Sequence, residues 1–205
     1  MESISNIKVY GLAESIYASG YPMMTEIPQG TDWILETHKI DLDIIGENYE
    51  NKHIKRAIQL ANAKGGGHDQ FLTGIIIQFD LTFTNKGWVE AERYTFLNFV
   101  SSQSTMHRIS KMDVANMCSD RTDERVIDVL NEKIDKYNAD KTLDNYRDVL
   151  DNIPSGFMLT ARMTTNYRCL KNIYEQRHTH RLEVWQDFCK QIEALPMAKE
   201  LIVGC

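Results

Sequence analysis

Apolar residues recur along this chain at two spacings, and each spacing predicts a different kind of element. A recurrence every three to four residues predicts amphipathic helices, which we place at 49–64, 88–100, 122–138, 142–150 and 182–195. Alternation of apolar and polar residues predicts strands, which we place at 7–10, 71–84 and 157–163, with the clearest alternation from Ile77 to Phe83. Together these elements predict an α/β (α+β) fold in which helices flank a central twisted sheet.

The segments between these elements are predicted to be loops or fit more than one structure. Residues 19–32 hold two prolines and two glycines and predict a loop, either a plain connection or a cover over a substrate. Three glycines at 65–67 predict a helix cap and a flexible turn, and 85–87 predict a tight turn. The pattern at 32–46 is ambiguous, and 12–17 fits either the start of a helix or a crossing at the sheet edge.

The stretch 163–177, MTTNYRCLKNIYEQR, has the most distinctive pattern in the chain. As a helix that begins near residue 164 or 165, it aligns two polar and two apolar side chains on one face, namely Asn166, Leu170, Ile173 and Arg177. A buried guanidinium without a partner is costly, so Arg177 is expected to meet an anionic group. An adjoining stripe carries Arg168, Asn172 and Glu175. Spacing alone leaves two interpretations open, a core helix whose polar ends reach solvent or a glutamate, and one wall of a ligand site.

Composition narrows the class of protein. A chain of 205 residues suits a single domain with a substantial core, and a net charge of −6 argues against a protein that coats nucleic acid. The four cysteines form no Cys-x-x-Cys pair, which argues against a disulfide framework or a zinc site. The sequence has the pattern of neither a signal peptide nor a membrane span. We therefore expect one cytoplasmic domain over 1–205, with reduced thiols and with any phosphate held in a local basic pocket.

The polar positions of the 163–177 stretch follow the pattern N-x-R-x-x-x-N-x-x-x-x-R. This pattern resembles the C-terminal signature helix of the flavin-dependent thymidylate synthases, the ThyX family, and Ile153-Pro154 matches a Leu-Pro of that family twelve residues before the first Asn. The resemblance implies that three residues lie against the flavin, Asn166, Arg168 and Asn172. It also implies that Arg177 binds the nucleotide substrate.

Weaker points of resemblance lie earlier in the chain. The family has a histidine at the head of a central strand that contacts the flavin, and His68 is the candidate here, although a histidine at a strand mouth is also an ordinary surface or capping group. The hydroxyl-rich run 101–108, SSQSTMHR, suits a bound phosphate or carboxylate, or an N-cap cluster for a short helix. The resemblance implies that Gln103, Ser104 and Arg108 contact the nucleotide.

One departure from the family is large. Where its R-H-R motif would stand, this chain has the uncharged residues Tyr94, Thr95 and Phe96. Arg93 is the nearest cation and the remaining candidate for the flavin phosphates, and Met106 replaces a further arginine. Each lost charge-assisted hydrogen bond is worth about 1.5–3 kcal/mol. The runs 101–109 and 180–196 are similar to short ThyX-like proteins of phages and low-GC bacteria that lack the same arginines.

Two functions of different classes follow from the resemblance. The first is an enzyme that binds FAD and, with folate and NADPH as co-substrates, transfers a one-carbon unit to C5 of dUMP to give dTMP. The second is a nucleotide-binding protein on the same scaffold that sequesters or senses its ligand without flavin chemistry. The family also implies a mainly antiparallel sheet and a homotetramer. His178 and His180 are two residues apart, which separates them on a helix, so no metal site is predicted.

Overall fold

Four strands form one antiparallel sheet in the computed structural model, which describes residues 3–65 and 67–204. They are β1 (Ile4–Tyr10), β2 (Ile76–Thr84), β3 (Asn98–Ser102) and β4 (Met158–Asn166). The spatial order is β1-β2-β4-β3, and every neighbouring pair is antiparallel. The predicted α/β fold with an antiparallel sheet is therefore confirmed.

Helices surround the sheet and supply most of the remaining structure. They are α1 (Leu12–Ala18), α2 (Thr31–Ile45), α3 (Lys52–Ala61), α4 (Asn85–Ala91), α5 (Thr105–Arg108), α6 (Glu124–Ala139), α7 (Leu143–Asp151), α8 (Tyr167–Arg177) and α9 (Glu183–Ile192). The four helices predicted at 49–64, 122–138, 142–150 and 182–195 are confirmed as α3, α6, α7 and α9, with bounds that differ by one to three residues. The ambiguous segment 32–46 is α2, and 12–17 lies in α1.

One face of the sheet carries the main core. The inward residues of β2 are fully buried, as its alternation predicts, and they are Ile77, Phe79, Leu81 and Phe83. The opposite face is polar and half-buried. There Asp80 Oδ1 lies 3.2 Å from Arg162 Nη1 on β4, directly across the register. Trp185 of α9 packs edge-on against Phe83, with ring centroids 4.8 Å apart. This contact packs α9 against β2.

A second cluster of buried side chains joins the α6–α7 pair to the segment after α5. Leu130, Val149, Phe157 and Ile109 contribute to it. Met158 N also donates to Met117 O at 2.7 Å, which ties the segment before α6 to the start of β4. This part of the molecule therefore supports the first residues of β4.

The predicted helix at 88–100 and the predicted turn at 85–87 were wrong. The helix begins at Asn85, because Thr84 caps it by accepting a hydrogen bond from Gly87 N at 3.1 Å, and it ends at Ala91. Residues 98–102 are strand β3, paired to the outer edge of β4 through Asn98↔Thr164 and Phe99↔Met163. Pairing with a free sheet edge satisfies a row of backbone groups, and this gain overrides the helical spacing.

The start of the helix in the 163–177 stretch also differs from the prediction. Residues 158–166 pair with β2 up to Ile76↔Asn166, so α8 begins at Tyr167 rather than near residue 164 or 165. The predicted long strand at 71–84 is shorter as well, because Gln70–Gly74 forms a 3-10 turn before β2. Both differences arise because pairing between β2 and β4 sets where the strands begin and end.

Some expectations concern residues at the ends of the chain or in the glycine run. Gly66 of the predicted glycine cap, the first two residues and Cys205 lie outside the described residues.

Cys118, Cys169 and Cys189 are free thiols and are buried. None of the described helices combines the length and the hydrophobicity of a transmembrane segment.

Candidate functional site

Helix α8 and the residues around its two ends form the candidate site. Asn166 is the N-cap of α8, because its Oδ1 accepts a hydrogen bond from Cys169 N at 2.9 Å. Tyr167, Leu170 and Ile173 are fully buried and hold the helix on the sheet. The predicted apolar stripe is therefore present, and the polar residues of the adjoining stripe point away from the core.

The C-terminal end of α8 contains a buried ion pair. Arg177 is 8% exposed, and its Nη1 lies 3.0 Å from Glu90 Oε2 of α4. Its Nε donates to Tyr94 Oη at 2.7 Å, and its guanidinium carbon lies 4.9 Å from the centre of the Trp185 ring. The expectation that Arg177 meets an anion is confirmed, and within this chain the anion is the Glu90 carboxylate.

Glu90 is the centre of a larger cluster. Trp185 Nε1 donates to Glu90 Oε2 at 3.2 Å, His180 Nε2 lies 3.4 Å from the same oxygen, and Lys86 Nζ lies 3.6 Å from Oε1. Lys86 and Arg177 are full cations facing one carboxylate, so these three side chains sum to one positive charge. A single carboxylate shared in this way neutralises the site only in part, and an added anion would be attracted to it.

Tyr94 connects the two motif regions in space. It stands where the first arginine of R-H-R would stand, and its hydroxyl contacts both Arg177 and Gln176 of α8, the latter at 3.0 Å. Arg93 is exposed and makes no ion pair with any residue that the structure describes. The segment after α4 therefore lies against the end of α8, and it carries a phenol where the family motif has a guanidinium.

A second polar cluster lies at the N-terminal half of α8. Arg168 Nε lies 3.2 Å from Asp69 Oδ1, and Arg168 Nη1 donates to Gln70 Oε1 at 2.6 Å. Lys171 Nζ lies 3.4 Å from the other oxygen of Asp69. His68 is exposed in the turn just before Asp69. It lies eight residues before Ile76, the first residue of β2. The fold thus brings the segment that carries His68 next to Arg168.

Asn172 lies between the two clusters and is exposed. Arg168 and Arg177 are nine residues apart on α8, or about 14 Å along its axis. The structure therefore places Arg168 and Arg177 in two separate groups at opposite ends of one helix. Within the single chain they do not converge on one point.

The run 101–108 lies at the outer edge of the sheet. Gln103 continues the pairing of β3, because its backbone N donates to Thr160 O at 2.9 Å and its Oε1 accepts from Thr160 N at 2.8 Å. Ser104 precedes α5, and its side chain makes no capping hydrogen bond. Arg108 is exposed at the end of α5. The Ser104 hydroxyl is therefore not used as a helix cap.

The buried cysteines are poor nucleophiles. Burial raises the pKa of the Cys189 thiol to about 12, with a further contribution from Glu193. Burial also raises the pKa values of Cys169 and Cys118. A thiol that stays protonated near neutral pH does not attack a substrate, so these three cysteines serve packing. Among the described residues, no group of three or more His, Cys, Asp or Glu side chains could hold a metal ion.

The sequence interpretation missed Glu90 and Asp69, the two carboxylates that meet the predicted arginines. Glu90 has one local signal, since Lys86 lies four residues before it on the same face of α4. Asp69 has none, because it stands alone in a turn. Ion pairs across the fold depend on which elements pack together, and a single sequence does not show this.

The fold and site define an α/β protein with the sheet order β1-β2-β4-β3 and a polar cluster at each end of the helix after β4. Solved structures of flavin-dependent thymidylate synthase ThyX from Helicobacter pylori are similar to it. One, complexed with FAD and dUMP, has a TM-score of 0.58 and 13% sequence identity, over 78% of this chain and 89% of that chain. Another, also with FAD and dUMP, has a TM-score of 0.61 and 12% identity, over 80% and 90%. The chain therefore has a ThyX-like fold.

No model of a known protein family matches the chain, and no curated protein matches it.

Proposed function

We propose that this protein is a ThyX-like enzyme of nucleotide metabolism that uses FAD in the transfer of a one-carbon unit to C5 of dUMP, giving dTMP. The observation that carries the proposal is the 2.7 Å hydrogen bond between Arg177 and Tyr94, which stands at the R-H-R position. These two motif positions are 83 residues apart in the chain, and their side chains contact each other in the folded protein. The similarity in fold to structures that hold FAD and dUMP supports the same function.

The proposed nucleotide contacts lie at the C-terminal end of α8 and at the outer edge of the sheet. Arg177 would bind the phosphate. The net positive charge of the cluster formed by Lys86, Glu90 and Arg177 favours an anion there. The Ser104 hydroxyl is not used as a cap, and Gln103 keeps its amide N–H groups, because only its oxygen pairs with Thr160. Arg108 is exposed and adds a second cation. These groups suit a phosphate and a polar base edge.

The proposed flavin contacts lie at the N-terminal end of α8 and beside it. Asn166 uses its oxygen to cap the helix and keeps two N–H donors, and Asn172 is exposed. Arg168 contacts Asp69 and Gln70, which follow His68 in the chain, and Arg93 is an exposed cation for a diphosphate. These side chains fit an anionic, ring-bearing cofactor. When bound, FAD supplies the reducing equivalent, and the protein binds and orients the substrates, with folate and NADPH as co-substrates.

A homotetramer is part of the proposal. The edge strand β3 is exposed along its whole length, and Phe99 and Val100 on it are 53% and 57% exposed. Exposed edge strands with apolar side chains are surfaces that proteins normally cover. A second copy placed against β3 and α8 would add groups between the two polar ends of the helix and complete one site.

A specific observation favours the second candidate, a nucleotide-binding protein without flavin chemistry. Arg177 is already paired with Glu90, and Tyr94, Thr95 and Phe96 replace the cations of R-H-R. A ligand phosphate would have to exchange with the Glu90 carboxylate, which lowers affinity. A protein that only senses or sequesters a nucleotide tolerates this lower nucleotide affinity more readily than an enzyme that must also bind FAD.

Two measurements separate the candidates. If the enzyme proposal holds, the purified protein shows flavin absorbance or takes up added FAD, and it releases tritium from C5-labelled dUMP in the presence of folate and NADPH. Arg168→Ala should then weaken FAD binding, while Lys171→Ala, which removes a cation paired with the same Asp69, serves as the matched control. A protein that binds dUMP but takes up no FAD supports the second candidate. A protein that binds neither ligand contradicts both.

A further inference from the structure

A cavity of about 490 Å³ lies among α1, α2, α3 and the segment 19–30, away from the proposed nucleotide site. None of its lining residues belongs to the residues proposed above for nucleotide or flavin. Its apolar walls come from Tyr17, Met24, Pro28 and Leu35. A volume of this size accommodates a small organic molecule.

His53, on the first turn of α3, is a polar residue that faces this cavity. It is 6% exposed. Its Nδ1 lies 3.0 Å from Arg56 Nη2, and a guanidinium can only donate, so Nδ1 accepts and the ring proton is on Nε2. Arg56 is held in place by the carbonyl oxygens of Ile16 and Tyr17, each at 3.3 Å. The tautomer of His53 is therefore set by the end of α1.

The His53 ring is also uncharged near neutral pH. Burial lowers its pKa, and the neighbouring Arg56 and Lys52 lower it further, against the opposing influence of Glu36. The ring thus presents a neutral Nε2–H donor rather than an imidazolium. An ion pair with Glu36 would require the charged form, so the 3.9 Å separation between Nε2 and Glu36 Oε2 is not a salt bridge.

The Nε2–H of His53 has no hydrogen-bond acceptor among the described residues. Glu36 Oε2 is too far for a hydrogen bond at 3.9 Å. The other oxygen of Glu36 accepts from Lys39 Nζ at 2.6 Å. One donor, on His53, and one acceptor, Glu36 Oε2, therefore lie side by side on the wall of the same cavity. Buried donors without acceptors are uncommon in folded proteins, and a bound molecule is one explanation.

We propose that this cavity binds a small molecule that carries a planar amide, either a carboxamide or a lactam, on an apolar or aromatic body. The amide oxygen accepts from His53 Nε2–H, its N–H donates to Glu36 Oε2, and the body packs between Leu35, Met24 and Tyr17. A carboxylate lacks the donor and is repelled by Glu36. An amine lacks the acceptor for His53. The neutral amide is the group that satisfies both atoms at once.

The charges around the cavity agree with a neutral ligand. Three carboxylates, Glu26, Asp32 and Glu36, and two ammonium groups, Lys39 and Lys52, line it, so the lining sums to one negative charge. That balance attracts neither a phosphate nor a carboxylate. The site is thus distinct in ligand chemistry from the proposed nucleotide site, and its failure would leave the proposed function standing.

The test uses the full chain and three aromatic probes of similar size, benzamide, benzoate and N,N-dimethylbenzamide. Binding is followed by NMR titration of the histidine ring nitrogens and by saturation-transfer difference. Benzamide should bind with a dissociation constant on the order of millimolar, as expected for a fragment of its size, and shift the His53 Nε2 resonance. Benzoate and N,N-dimethylbenzamide should each bind about tenfold or more weakly, because each loses one buried hydrogen bond.

Variants locate the binding to this donor and acceptor. Glu36→Leu removes the acceptor from a half-buried position and should weaken benzamide binding about tenfold. His53→Phe removes the donor and should do the same. The control is Lys55→Ala, on the same helix but outside the cavity lining, which should leave binding unchanged. The proposal would be overturned if all three probes bound with equal affinity, or if Glu36→Leu had no effect on benzamide binding. It would also be overturned if the His53 resonance did not shift at saturating benzamide, which would indicate that water alone bridges the two atoms.

Discussion

Glu90 Oε2 lies 3.0 Å from Arg177 Nη1, so the buried guanidinium at the end of α8 has its anionic partner on α4. The pair is stacked against Trp185 and bonded to Tyr94, and it therefore joins α4, α8 and α9. A buried charge pair of this kind is costly to break from one side, because the remaining charge stays in a poorly hydrated place. The first three predictions concern this pair.

Replacing Glu90 by alanine should destabilise the fold. Arg177 would lose its partner while still buried, and we expect the free energy of unfolding to fall by about 3–5 kcal/mol in urea titration. The matched control is Lys86→Ala, which removes a 56% exposed partner of the same carboxylate. That variant should cost less than about 1 kcal/mol. Equal losses for the two variants would show that the Glu90–Arg177 pair behaves as a surface contact.

Replacing Arg177 by alanine should abolish dUMP binding under both proposed functions. Isothermal titration of folded variant protein measures this directly, with folding checked by circular dichroism. Arg147→Ala, which removes an exposed arginine paired with Asp144, is the control and should bind like the parent. Unchanged dUMP affinity in Arg177→Ala would mean that the site is placed wrongly.

Neutralising Glu90 without shortening it should strengthen dUMP binding. In Glu90→Gln the guanidinium of Arg177 no longer faces a competing carboxylate, so a phosphate gains the interaction that Glu90 now makes. We expect an affinity gain of at least a few fold, measured at fixed ionic strength. A loss of affinity in a folded Glu90→Gln protein would show that Glu90 positions Arg177 rather than competes for it.

Asn166 is predicted to have two separable roles. Asn166→Ala removes the N-cap of α8 and should lower the free energy of unfolding by about 1 kcal/mol. Asn166→Asp keeps an acceptor for Cys169 N and should preserve stability, but it loses the N–H donors proposed to contact the flavin. FAD affinity should therefore fall in both variants and stability only in the first. Normal FAD binding by Asn166→Asp would limit this residue to capping.

The stability of the fold should fall on acidification through a contribution from His53. Its ring faces Tyr17 of α1 and Glu36 of α2, beside Arg56 and Lys52 of its own helix, and its pKa is lowered below the ordinary 6.5. The unfolded chain then takes up a proton below about pH 6.5 while the folded chain does not, so the free energy of unfolding decreases as pH falls.

Substitution tests this contribution. In His53→Phe the slope of the free energy of unfolding against pH, between pH 7 and 5, should be smaller by up to about 1.4 kcal/mol per pH unit. His38→Gln, which removes an exposed imidazole from α2, is the matched control. An unchanged slope in His53→Phe would mean that the ring titrates alike in the folded and unfolded chain.

The local patterns of the chain predicted much of the architecture. The alternation from Ile77 to Phe83 gave the buried face of β2, and three-to-four spacing gave α3, α6, α7 and α9, because these signals reflect side-chain periodicity within one element. The motif in 163–177 indicated the ThyX-like fold. The helix predicted at 88–100 failed, because pairing of β3 with the edge of β4 is a contact between distant segments.

The sequence by itself determined that Arg177 lies on an apolar helical face and needs an anion, since burial of a lone guanidinium is costly wherever it occurs. Only the tertiary structure decided which anion, because Glu90 reaches Arg177 through the packing of α4 and α9 on α8, 87 residues away in the chain. Only the folded chain likewise placed Asp69 against Arg168 and left Asn172 exposed between the two clusters. Helical spacing acts over a few residues, whereas ion pairs and cavities depend on how whole elements pack.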